Sequence, residues 1–277
     1  GDHRDLHSFP TRCSSDLQIF VSDGPALLQV LQAMGPALGP EHIVLNHATV
    51  SPGDTLEASR MVQERHAKFL DAPFTGSRDA AEAGQIAFFI GGDAATLERV
   101  RPQLEVNAKA ILPIGEIGQA TAMKIATNLM AAVAVSSFAE ALGLLDKSGI
   151  PLYKLGEVLQ HHAARSGLVD LKMPGMITGD FEPRFSLKHM FKDVQIALAM
   201  AEEHGIELPA ASAFAGSAMS GLQSGWGDDD FSSIARHYGF PNDENEVPAS
   251  VFPPSTGNAS GSEAKPAPKE KKKLFPL

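Results

Sequence analysis

The feature that most constrains the fold is a long alanine-rich stretch from Gln119 to Ser148, which contains no proline. It is followed by Gly149 and Pro151, two residues that commonly stop a helix. Because an α-helix rises about 1.5 Å per residue, this stretch predicts a helix of roughly 45 Å. A helix of that length can leave one domain and run through another.

The residues before this helix show a different pattern, in which short apolar runs alternate with helical periodicity. Such alternation is typical of an α/β layer with a parallel sheet. One predicted helix has a favourable start, because Ser51 can cap it, Pro52 lies in its first turn and Asp54 completes a capping-box spacing. The predicted strands are Gln18–Val21, Ile43–His47, Lys68–Asp71, Ile86–Gly91 and Ala110–Pro113, and the predicted helices are Pro25–Met34, Pro52–His66 and Asp93–Val106.

After the long helix the pattern is helical only, with helices predicted at Tyr153–His162, Leu187–His204, Pro209–Ser224 and, more briefly, Asp229–Tyr238. Residues 241–277 are rich in Pro, Ser, Gly, Asn and Lys, so they cannot bury enough apolar surface to fold. We therefore predict a sheet-containing domain over residues 18–115, a helical domain over 116–240 and a disordered tail over 241–277. The lysine run at 271–273 is interpreted as solvated charge.

Composition excludes several classes of protein. The chain of 277 residues is 43% hydrophobic, which is sufficient for one or two packed domains. A net charge of -10 argues against nucleic-acid binding, although small anionic substrates stay possible. No signal peptide and no continuous apolar run of membrane-spanning length is found, so we expect a soluble, cytoplasmic protein. The one cysteine, Cys13, precedes the predicted domains, and no metal site is predicted.

Residues 1–17 do not fit this organisation. The stretch from His7 to Leu17 resembles the in-frame translation of a common short-read sequencing adapter, with Cys13 where the adapter would encode arginine. We interpret these residues as an artefact and expect ordinary protein sequence from about Gln18.

The first motif that suggests chemistry is Asp71–Ser77, which follows a predicted strand and ends in Thr75, Gly76 and Ser77. Backbone amides in a loop of small residues can approach a ligand closely and bind a carboxylate. Taken alone, the motif is better explained as a tight turn from strand to helix.

The second motif joins Gly115–Gly118 to the long helix, on which Lys124 and Asn128 are four residues apart and share one face. A lysine among alanine, isoleucine and methionine can extend its ammonium to water while its stem packs on the helix. If the ammonium lies in a cleft instead, it can donate a proton to a carbonyl oxygen that is being reduced. Asn128 would then hold the substrate or the lysine.

Two further motifs lie at places where ligands are often bound. Lys192 and Asp193 sit among apolar neighbours on a predicted helix, although they can also belong to an exposed face. The segment Asn46–Pro52 follows a strand, at the carboxyl edge where parallel sheets bind ligands. Helix capping explains Ser51 and leaves Thr49 free for another contact. We interpret His47 as a packed histidine rather than a catalytic one.

In this order, the motifs resemble those of the β-hydroxyacid dehydrogenase family, over roughly Ile19–Tyr238. The family's loop Asp-Ala-Pro-Val-Ser-Gly-Gly corresponds to Asp71–Ser77, with threonine replacing serine and Ser77 replacing the last glycine. Its lysine and the asparagine one turn later correspond to Lys124 and Asn128. Within the family, residues 186–189 followed by Lys192 and Asp193 look most like the glyoxylate/succinic semialdehyde reductase branch.

The resemblance implies an α/β fold in which the C-terminal remnant of a Rossmann-type parallel sheet is followed by an all-helical domain built on the long interdomain helix. Residues 18–115 would be a partial dinucleotide-binding domain, and residues 116–240 a substrate and oligomerisation domain. The implied activity is the NAD- or NADP-dependent reduction of a small oxo acid or semialdehyde, or the oxidation of the matching hydroxy acid. A homodimer or homotetramer is also implied.

The resemblance further implies a role for each matched residue. Lys124 would be the proton donor and Asn128 would position the substrate. The substrate carboxylate would bind Thr75, Gly76 and Ser77. Cofactor contacts would come from Thr49, Lys192 and Asp193, and also from Val21 and Ser22, which match the family's Leu-Pro pair less well.

One part of the family pattern has no counterpart in this sequence. No Gly-x-Gly-x-x-Gly segment is present, and the family's first segment of about 60 residues is not matched. The choice between NAD and NADP therefore stays open, and we expect this polypeptide to bind NAD(P) poorly and to show no appreciable turnover. An alternative is a dehydrogenase-like scaffold that serves only in oligomerisation, although such a scaffold has no need of Lys124.

Overall fold

The structure is a computed structural model that describes residues 16–76 and 78–239, without the side chains of residues 78 and 79. The residues interpreted as adapter-derived up to residue 15, the tail over 241–277 and the candidate substrate residue Ser77 lie outside the described residues.

Up to residue 115 the described elements include both strands and helices, and after residue 115 they are all helices. The strands are β1 (Asp16–Ile19), β2 (Ile43–Asn46), β3 (Lys68–Asp71), β4 (Phe74–Thr75), β5 (Ile86–Gly91) and β6 (Ala108–Gly115). The α-helices are α1 (Gly24–Met34), α2 (Pro52–Gln63), α3 (Arg78–Glu82), α4 (Ala94–Leu104), α5 (Gln119–Lys147), α6 (Tyr153–Leu159), α7 (Gly167–Thr178), α8 (Leu187–Glu203) and α9 (Pro209–Gln223), with 3-10 helices at Gly35–Ala37 and Phe231–Tyr238.

The strands form a six-stranded sheet of order β1-β2-β3-β5-β4, in which β6 pairs with β5. β1, β2 and β3 are parallel, as are β5 and β6. β5 runs antiparallel to β3 and β4, so the sheet is not parallel throughout as predicted. A parallel connection between β3 and β5 would need a crossover of about a dozen residues, usually through a helix that spans the sheet. The segment between β3 and β5 instead forms β4 and the five-residue helix α3, which is too short to span the sheet.

Both faces of the sheet are covered by helices. Val44 in β2 packs with residues of α1 and α2, whereas Ile43 and Leu45 point to the other face and pack with residues of α4. β2 is therefore buried along its whole length, as expected for a central strand of a parallel layer. This packing fixes the carboxyl ends of β1 and β2, where the candidate cofactor residues lie.

The second core belongs to the helical residues after α5 begins. Ala132, Val135, Ala139 and Leu142 of α5 pack against α7, α8, α9 and the 3-10 helix at 231–238. The absence of a side chain at Gly143 lets Tyr238 approach, because an added Cβ would lie 2.8 Å from the tyrosine ring. The predicted long helix is thus the axis of the helical domain.

The start and the end of the long helix follow the sequence closely. α5 ends at Lys147 and is closed by Gly149, whose φ of 69° lies in the left-handed region. The Ile150 N–H donates to the Leu145 carbonyl at 3.0 Å, a bond that satisfies one of the last carbonyls of the helix. Asp71 and Gly118 form its start, as described below.

Among the described residues, α5 is the one helix long and apolar enough to cross a membrane by length and composition. The sequence contains no continuous apolar run of that length, because Lys124 and several polar residues interrupt it. The core helix of a soluble protein meets the same criterion, so the observation is weak evidence for a span. About a third of the apolar window is buried against the rest of the chain.

Candidate active site

The site lies where the carboxyl ends of β1, β2 and β3 meet α5 and α8. α5 enters this region through a cap supplied by another strand. Asp71, the last residue of β3, accepts hydrogen bonds from the backbone N–H groups of Gly118 (3.0 Å) and Thr121 (2.9 Å) and from the Thr121 hydroxyl (2.7 Å). Gly118 adopts a φ of 90°, which a residue with a Cβ rarely does.

The buried Asp71 carboxylate therefore anchors the start of α5 to the sheet. Burial raises the pKa of Asp71, whereas its bonds to Thr121 and Gly118 lower it. The sequence predicts Asp71 only as the first residue of a candidate substrate loop. It does not indicate that Asp71 caps α5, because the capped residues Gly118 and Thr121 lie 47 and 50 positions further along the chain.

Lys124 lies just over one turn into α5, beside a buried carboxylate of α8. The Asn128 side-chain amide donates to Asp193 Oδ2 at 2.6 Å, and Asp193 is 1% exposed. Burial lowers the pKa of Lys124, the negative charge of Asp193 opposes that effect, and Lys192 adds to the lowering. No hydrogen bond within the described residues involves the Lys124 ammonium. The amine thus lies within the electrostatic influence of Asp193 and makes no hydrogen bond to any of the described residues.

Lys192 joins the helical residues to the sheet. Its Nζ donates to the Thr49 carbonyl oxygen and forms an ion pair with Asp193 Oδ1 at 2.9 Å. Thr49 follows β2, and Asp23 at the start of α1 is close enough for Lys192 to lower its pKa. Five of the residues singled out from the sequence (Thr49, Lys124, Asn128, Lys192 and Asp193) therefore lie in one connected group.

Val21 and Ser22 have local structural roles in the chain. Val21 packs at the edge of the core beneath α1 and α2. The Ser22 hydroxyl donates to Asp23 Oδ2 at 2.8 Å, and Asp23 caps α1 by accepting from the Ala26 N–H at 2.9 Å. Both residues follow β1, so they lie at the same edge of the sheet as Thr49.

The candidate substrate loop lies beside the antiparallel part of the sheet. Thr75 is exposed and pairs with Ala87 of β5. Gly76 adopts a φ of 149°, and a Cβ there would lie 2.9 Å from the side chain of Ile86. No hydrogen bond between described residues joins Thr75 or Gly76 to Lys124. Gly76 therefore makes room for Ile86, whereas the binding of a substrate carboxylate by this loop and the approach of the loop to Lys124 stay predictions.

His47 is buried in an aromatic cluster. It is 3% exposed, its Nδ1 lies 2.7 Å from the Ala72 carbonyl oxygen, and its ring stacks on Phe20 with centroids 4.6 Å apart. Phe74 and Phe88 complete the cluster. Burial lowers the pKa of His47 to about 4, although its bond to Ala72 works against that change. The structure thus places His47 as a packed, neutral side chain.

An orphaned donor supports a ligand site at this edge. Asn46 is fully buried at the carboxyl end of β2, and its Oδ1 accepts from the Ala48 N–H at 3.1 Å. Its Nδ2 is buried and has no hydrogen-bond partner among the described residues. Buried donors are normally paired, and parallel sheets bind ligands at this edge. The residues present therefore fit one polar end of a dinucleotide.

A cavity of about 360 Å³ lies elsewhere. It is lined by the amino end of β3, the residues after α2 and the start of α4, including His66, Lys68 and Asp93. Because β3 runs from Lys68 to Asp71, this cavity is at the end of the strand opposite to Asp71. It is separate from the group that contains Lys124.

Comparison with known proteins divides the chain at the same place as the structure. Residues 10–115 match the family model described as the NAD binding domain of 6-phosphogluconate dehydrogenase. Residues 118–238 match the model described as NAD-binding of NADP-dependent 3-hydroxyisobutyrate dehydrogenase. The boundary between the two matches falls just before α5.

Two relatives from Arabidopsis thaliana are reductases by name. Glyoxylate/succinic semialdehyde reductase 2, chloroplastic, is 33% identical over 187 residues, which are 68% of this chain and 52% of that protein. Glyoxylate/succinic semialdehyde reductase 1 is 28% identical over 79% of this chain and 73% of that protein. The chain thus spans about half the length of the first relative and nearly three quarters of the second.

Solved structures agree with these sequence matches. The 3-hydroxyisobutyrate dehydrogenase of Mycobacterium tuberculosis, described with L-serine, superposes with a TM-score of 0.75 at 27% identity, covering 82% of this chain and 80% of that one. The 3-hydroxyisobutyrate dehydrogenase from Salmonella typhimurium gives the same TM-score and identity over 80% and 79% of the two chains. The two domain matches, the reductase relatives and the shared architecture together show that the chain belongs to the β-hydroxyacid dehydrogenase family.

Proposed function

We propose that the protein is an NAD(P)-dependent oxidoreductase that reduces a small oxo acid or semialdehyde, or oxidises the matching hydroxy acid. The observation that carries this proposal is the partly buried Lys124, whose amine lies near Asp193 with no hydrogen-bond partner among the described residues. A family whose matches are described as NAD-binding supplies the cofactor class. The names of the two Arabidopsis relatives suggest glyoxylate and succinic semialdehyde as substrates.

The cofactor would be held at the edge formed by β1 and β2. Asn46 Nδ2 is a buried donor without a partner among the described residues. Val21 and Ser22 lie in the loop after β1, and Lys192 fixes the loop after β2 through the Thr49 carbonyl. When bound, the nicotinamide supplies or accepts the hydride. Asp193 neutralises Lys192 from the side, so the loop is held without an unpaired buried charge.

Lys124 would donate the proton to the carbonyl oxygen during reduction. Its pKa is lowered mainly by burial, and a lowered pKa makes a lysine a better proton donor near neutral pH. Asn128, held by Asp193 through its Nδ2, would keep its side-chain oxygen available for the substrate. The backbone of Thr75, Gly76 and Ser77 would bind the carboxylate, which fixes the carbonyl carbon between the nicotinamide and the amine.

Replacement of Lys124 tests the proposal. In a full-length version of the protein, the Lys124→Ala variant should lower kcat/KM for glyoxylate and succinic semialdehyde by about 10²–10⁴-fold, the usual contribution of a positioned proton donor. Turnover is measured with NADH and with NADPH, which also decides cofactor choice. The Lys147→Ala variant at the exposed end of α5 should behave as wild type. Reduction of both aldehydes by Lys124→Ala at the wild-type rate would remove the catalytic assignment.

A second candidate is a scaffold without catalysis. One relative, 31% identical over 160 residues, is named the cytokine-like nuclear factor N-PAC of Aedes aegypti, so the fold also occurs in a protein with a non-enzymatic name. The same experiment separates the two candidates. A scaffold would show no turnover in either the wild type or the variant, and Lys124→Ala would leave its assembly unchanged.

We also propose that the protein is cytoplasmic and forms a homodimer or homotetramer through its helical residues. Support for the association comes from α5, on which the apolar side chains of Met130 and Leu144 are 71% and 70% exposed. Large exposed apolar side chains on one helix are typical of an association surface. The corresponding experiment is given below at the scale of the whole molecule.

A further inference from the structure

His47 connects the loop after β2 to the candidate substrate loop, a contact that the proposed chemistry does not use. It directly follows β2 and precedes Thr49 by two residues. Its Nδ1 lies 2.7 Å from the carbonyl oxygen of Ala72, the first residue after β3. A carbonyl oxygen can only accept, so Nδ1 carries the proton of the neutral ring and donates it to Ala72. The side chain thus bonds the first carbonyl group after β3.

The bond acts where the chain leaves the parallel part of the sheet. The Ala72 N–H donates to the Asn46 carbonyl at 2.8 Å, which continues the pairing of β2 with β3. Pro73 has no N–H to donate, and its carbonyl accepts from the Phe89 N–H of β5 at 2.8 Å. The Ala72 carbonyl therefore lies between a parallel and an antiparallel contact, and the side chain of His47 supplies its hydrogen bond.

Aromatic packing joins His47 to the same loop a second time. The Phe74 ring lies edge-on to the imidazole with centroids 6.4 Å apart, and Phe74 immediately precedes Thr75. Phe20 stacks on the imidazole at 4.6 Å, and Phe88 of β5 packs against it at 5.4 Å. The imidazole is therefore fixed from several sides, and it contacts the candidate substrate loop through both a carbonyl group and an aromatic ring.

The two kinds of contact use different parts of the His47 side chain. Burial lowers the pKa of His47 to about 4, so the ring is neutral at pH 7. Its Nε2 is buried and has no hydrogen-bond partner among the described residues, which leaves Nδ1 as the nitrogen that makes a polar contact. His47→Phe keeps an aromatic ring and removes the bond. His47→Asn, whose Nδ2 can donate to the Ala72 carbonyl, keeps a donor and removes the ring.

We propose that His47 is a positioning residue, which holds the backbone at Thr75–Gly76 in the geometry that binds the substrate carboxylate. This inference rests on the proposed function, in which that loop binds the carboxylate. His47 is 3% exposed and acts through Ala72 and Phe74 rather than by touching the substrate. Its loss therefore weakens recognition of the carboxylate and leaves the reaction at the carbonyl group to Lys124.

A pair of aldehydes tests this role in a full-length version of the protein. Succinic semialdehyde and butanal have the same chain length, and a methyl group in butanal replaces the carboxylate. The ratio of their kcat/KM values measures recognition of the carboxylate. His47→Phe should lower this ratio by about three- to tenfold, the range for one neutral hydrogen bond, mainly through a higher KM for succinic semialdehyde. A purely structural role would lower both kcat/KM values equally and leave the ratio unchanged.

Three further variants make the comparison specific. His47→Asn should keep most of the wild-type ratio, because its amide can donate to the Ala72 carbonyl. Phe74→Leu, which keeps an apolar side chain, should lower the ratio by less than His47→Phe does, and it tests the same contact if His47→Phe does not fold. His204→Phe, at the exposed end of α8, should keep the wild-type ratio.

Amide hydrogen exchange separates this inference from the proposed function, because it needs no turnover. Exchange in residues 72–76 and in the second half of α5 is followed by mass spectrometry in the present chain. His47→Phe should speed exchange in residues 72–76 by about three- to tenfold, because the loop opens more often without the Nδ1 bond. Exchange in the second half of α5 should not change.

Three results would overturn the inference. They are a wild-type kcat/KM ratio near one, an unchanged ratio in folded His47→Phe, and equal exchange of residues 72–76 in the wild type and folded His47→Phe. A full-length protein that reduces neither aldehyde with NADH or NADPH would instead refute the proposed function. The exchange rates would then still decide whether His47 fixes the loop.

Discussion

At the scale of single residues, burial of His47 should make the stability of the fold depend on pH. The pKa of His47 is about 4 in the folded chain and about 6.5 in an unfolded one. Above pH 6.5 the ring is neutral in both states. As the pH falls from 6.5 to 4, the unfolded chain binds a proton that the folded chain does not, so the free energy of unfolding should fall by roughly 3 kcal/mol.

Urea unfolding of wild type and His47→Phe at pH 7.5, 6 and 5 measures this effect. The variant should lose the Nδ1 bond to the Ala72 carbonyl and be less stable at pH 7.5, but its free energy of unfolding should change less between pH 7.5 and 5. His161→Phe, at an exposed position, should follow the wild-type pH dependence. Parallel pH curves for wild type and His47→Phe would contradict the prediction.

The residues of the site were predictable from the sequence to different degrees. Lys124 and Asn128 were found because a helical spacing of four puts them on one face, and the structure does place them together near Asp193. The bond between Asn128 and Asp193 was not predicted, since it joins residues 65 positions apart that only the packing of α5 on α8 brings into contact. The unpaired amide of Asn46 likewise depends on the burial of β2.

At the scale of secondary structure elements, the start of α5 should depend on Asp71. Replacing it with alanine leaves the N–H groups of Gly118 and Thr121 without a partner in a buried place. We expect Asp71→Ala to lower the free energy of unfolding by about 2–3 kcal/mol, compared with about 1 kcal/mol for Asp23→Ala at the partly buried cap of α1. Denaturant titration of both variants compares the losses, and an equal loss would show that Asp71 acts as an ordinary cap.

A buried ion pair should hold the last 3-10 helix against α7. Lys172 Nζ donates to Asp230 Oδ2 at 2.6 Å, and both side chains are about 5% exposed or less. Asp230 also accepts from the N–H groups of Arg184, Phe185 and Ser232. Asp230→Ala should therefore destabilise the fold by about 3–5 kcal/mol, and more than Lys172→Met does. Thermal unfolding of both variants measures the two losses of stability. A larger loss in Lys172→Met than in Asp230→Ala would contradict the prediction.

Element boundaries show where local sequence signals suffice and where they fail. The N-cap at Ser51 was predicted, and the Asp54 N–H does donate to the Ser51 hydroxyl at 3.0 Å. Helix α7 was not predicted, because it contains Pro174 and Gly175, which usually interrupt helices. Its burial against α5 and the 3-10 helix stabilises it nonetheless. An extra Cβ at Gly175 would lie 2.3 Å from the Asp180 carbonyl oxygen, so glycine is required there.

At the scale of the whole molecule, α5 links the two cores. Its start is tied to the sheet through Asp71, its middle carries Lys124 and Asn128, and its second half packs in the helical core. Lys192 adds a second tie from α8 to the loop after β2. A long helix capped by a sheet residue thus fixes where the proposed proton donor stands relative to the edge of the sheet.

The exposed side of α5 leads to the last prediction, that copies of the chain associate through it. Met123, Met130 and Leu144 are exposed to 43%, 71% and 70%, and their positions differ by multiples of seven, so they lie along one side of the helix. The helix is roughly 44 Å long, which is long enough for an interface that buries about 800 Å² on each partner.

The Met130→Glu/Leu144→Glu variant should place four like charges in a symmetric interface and yield monomers. Light scattering after size exclusion measures the mass, and Val158→Glu on α6, also at an exposed apolar position, should keep the wild-type mass. A double variant of unchanged mass and unchanged unfolding midpoint would move the interface away from α5.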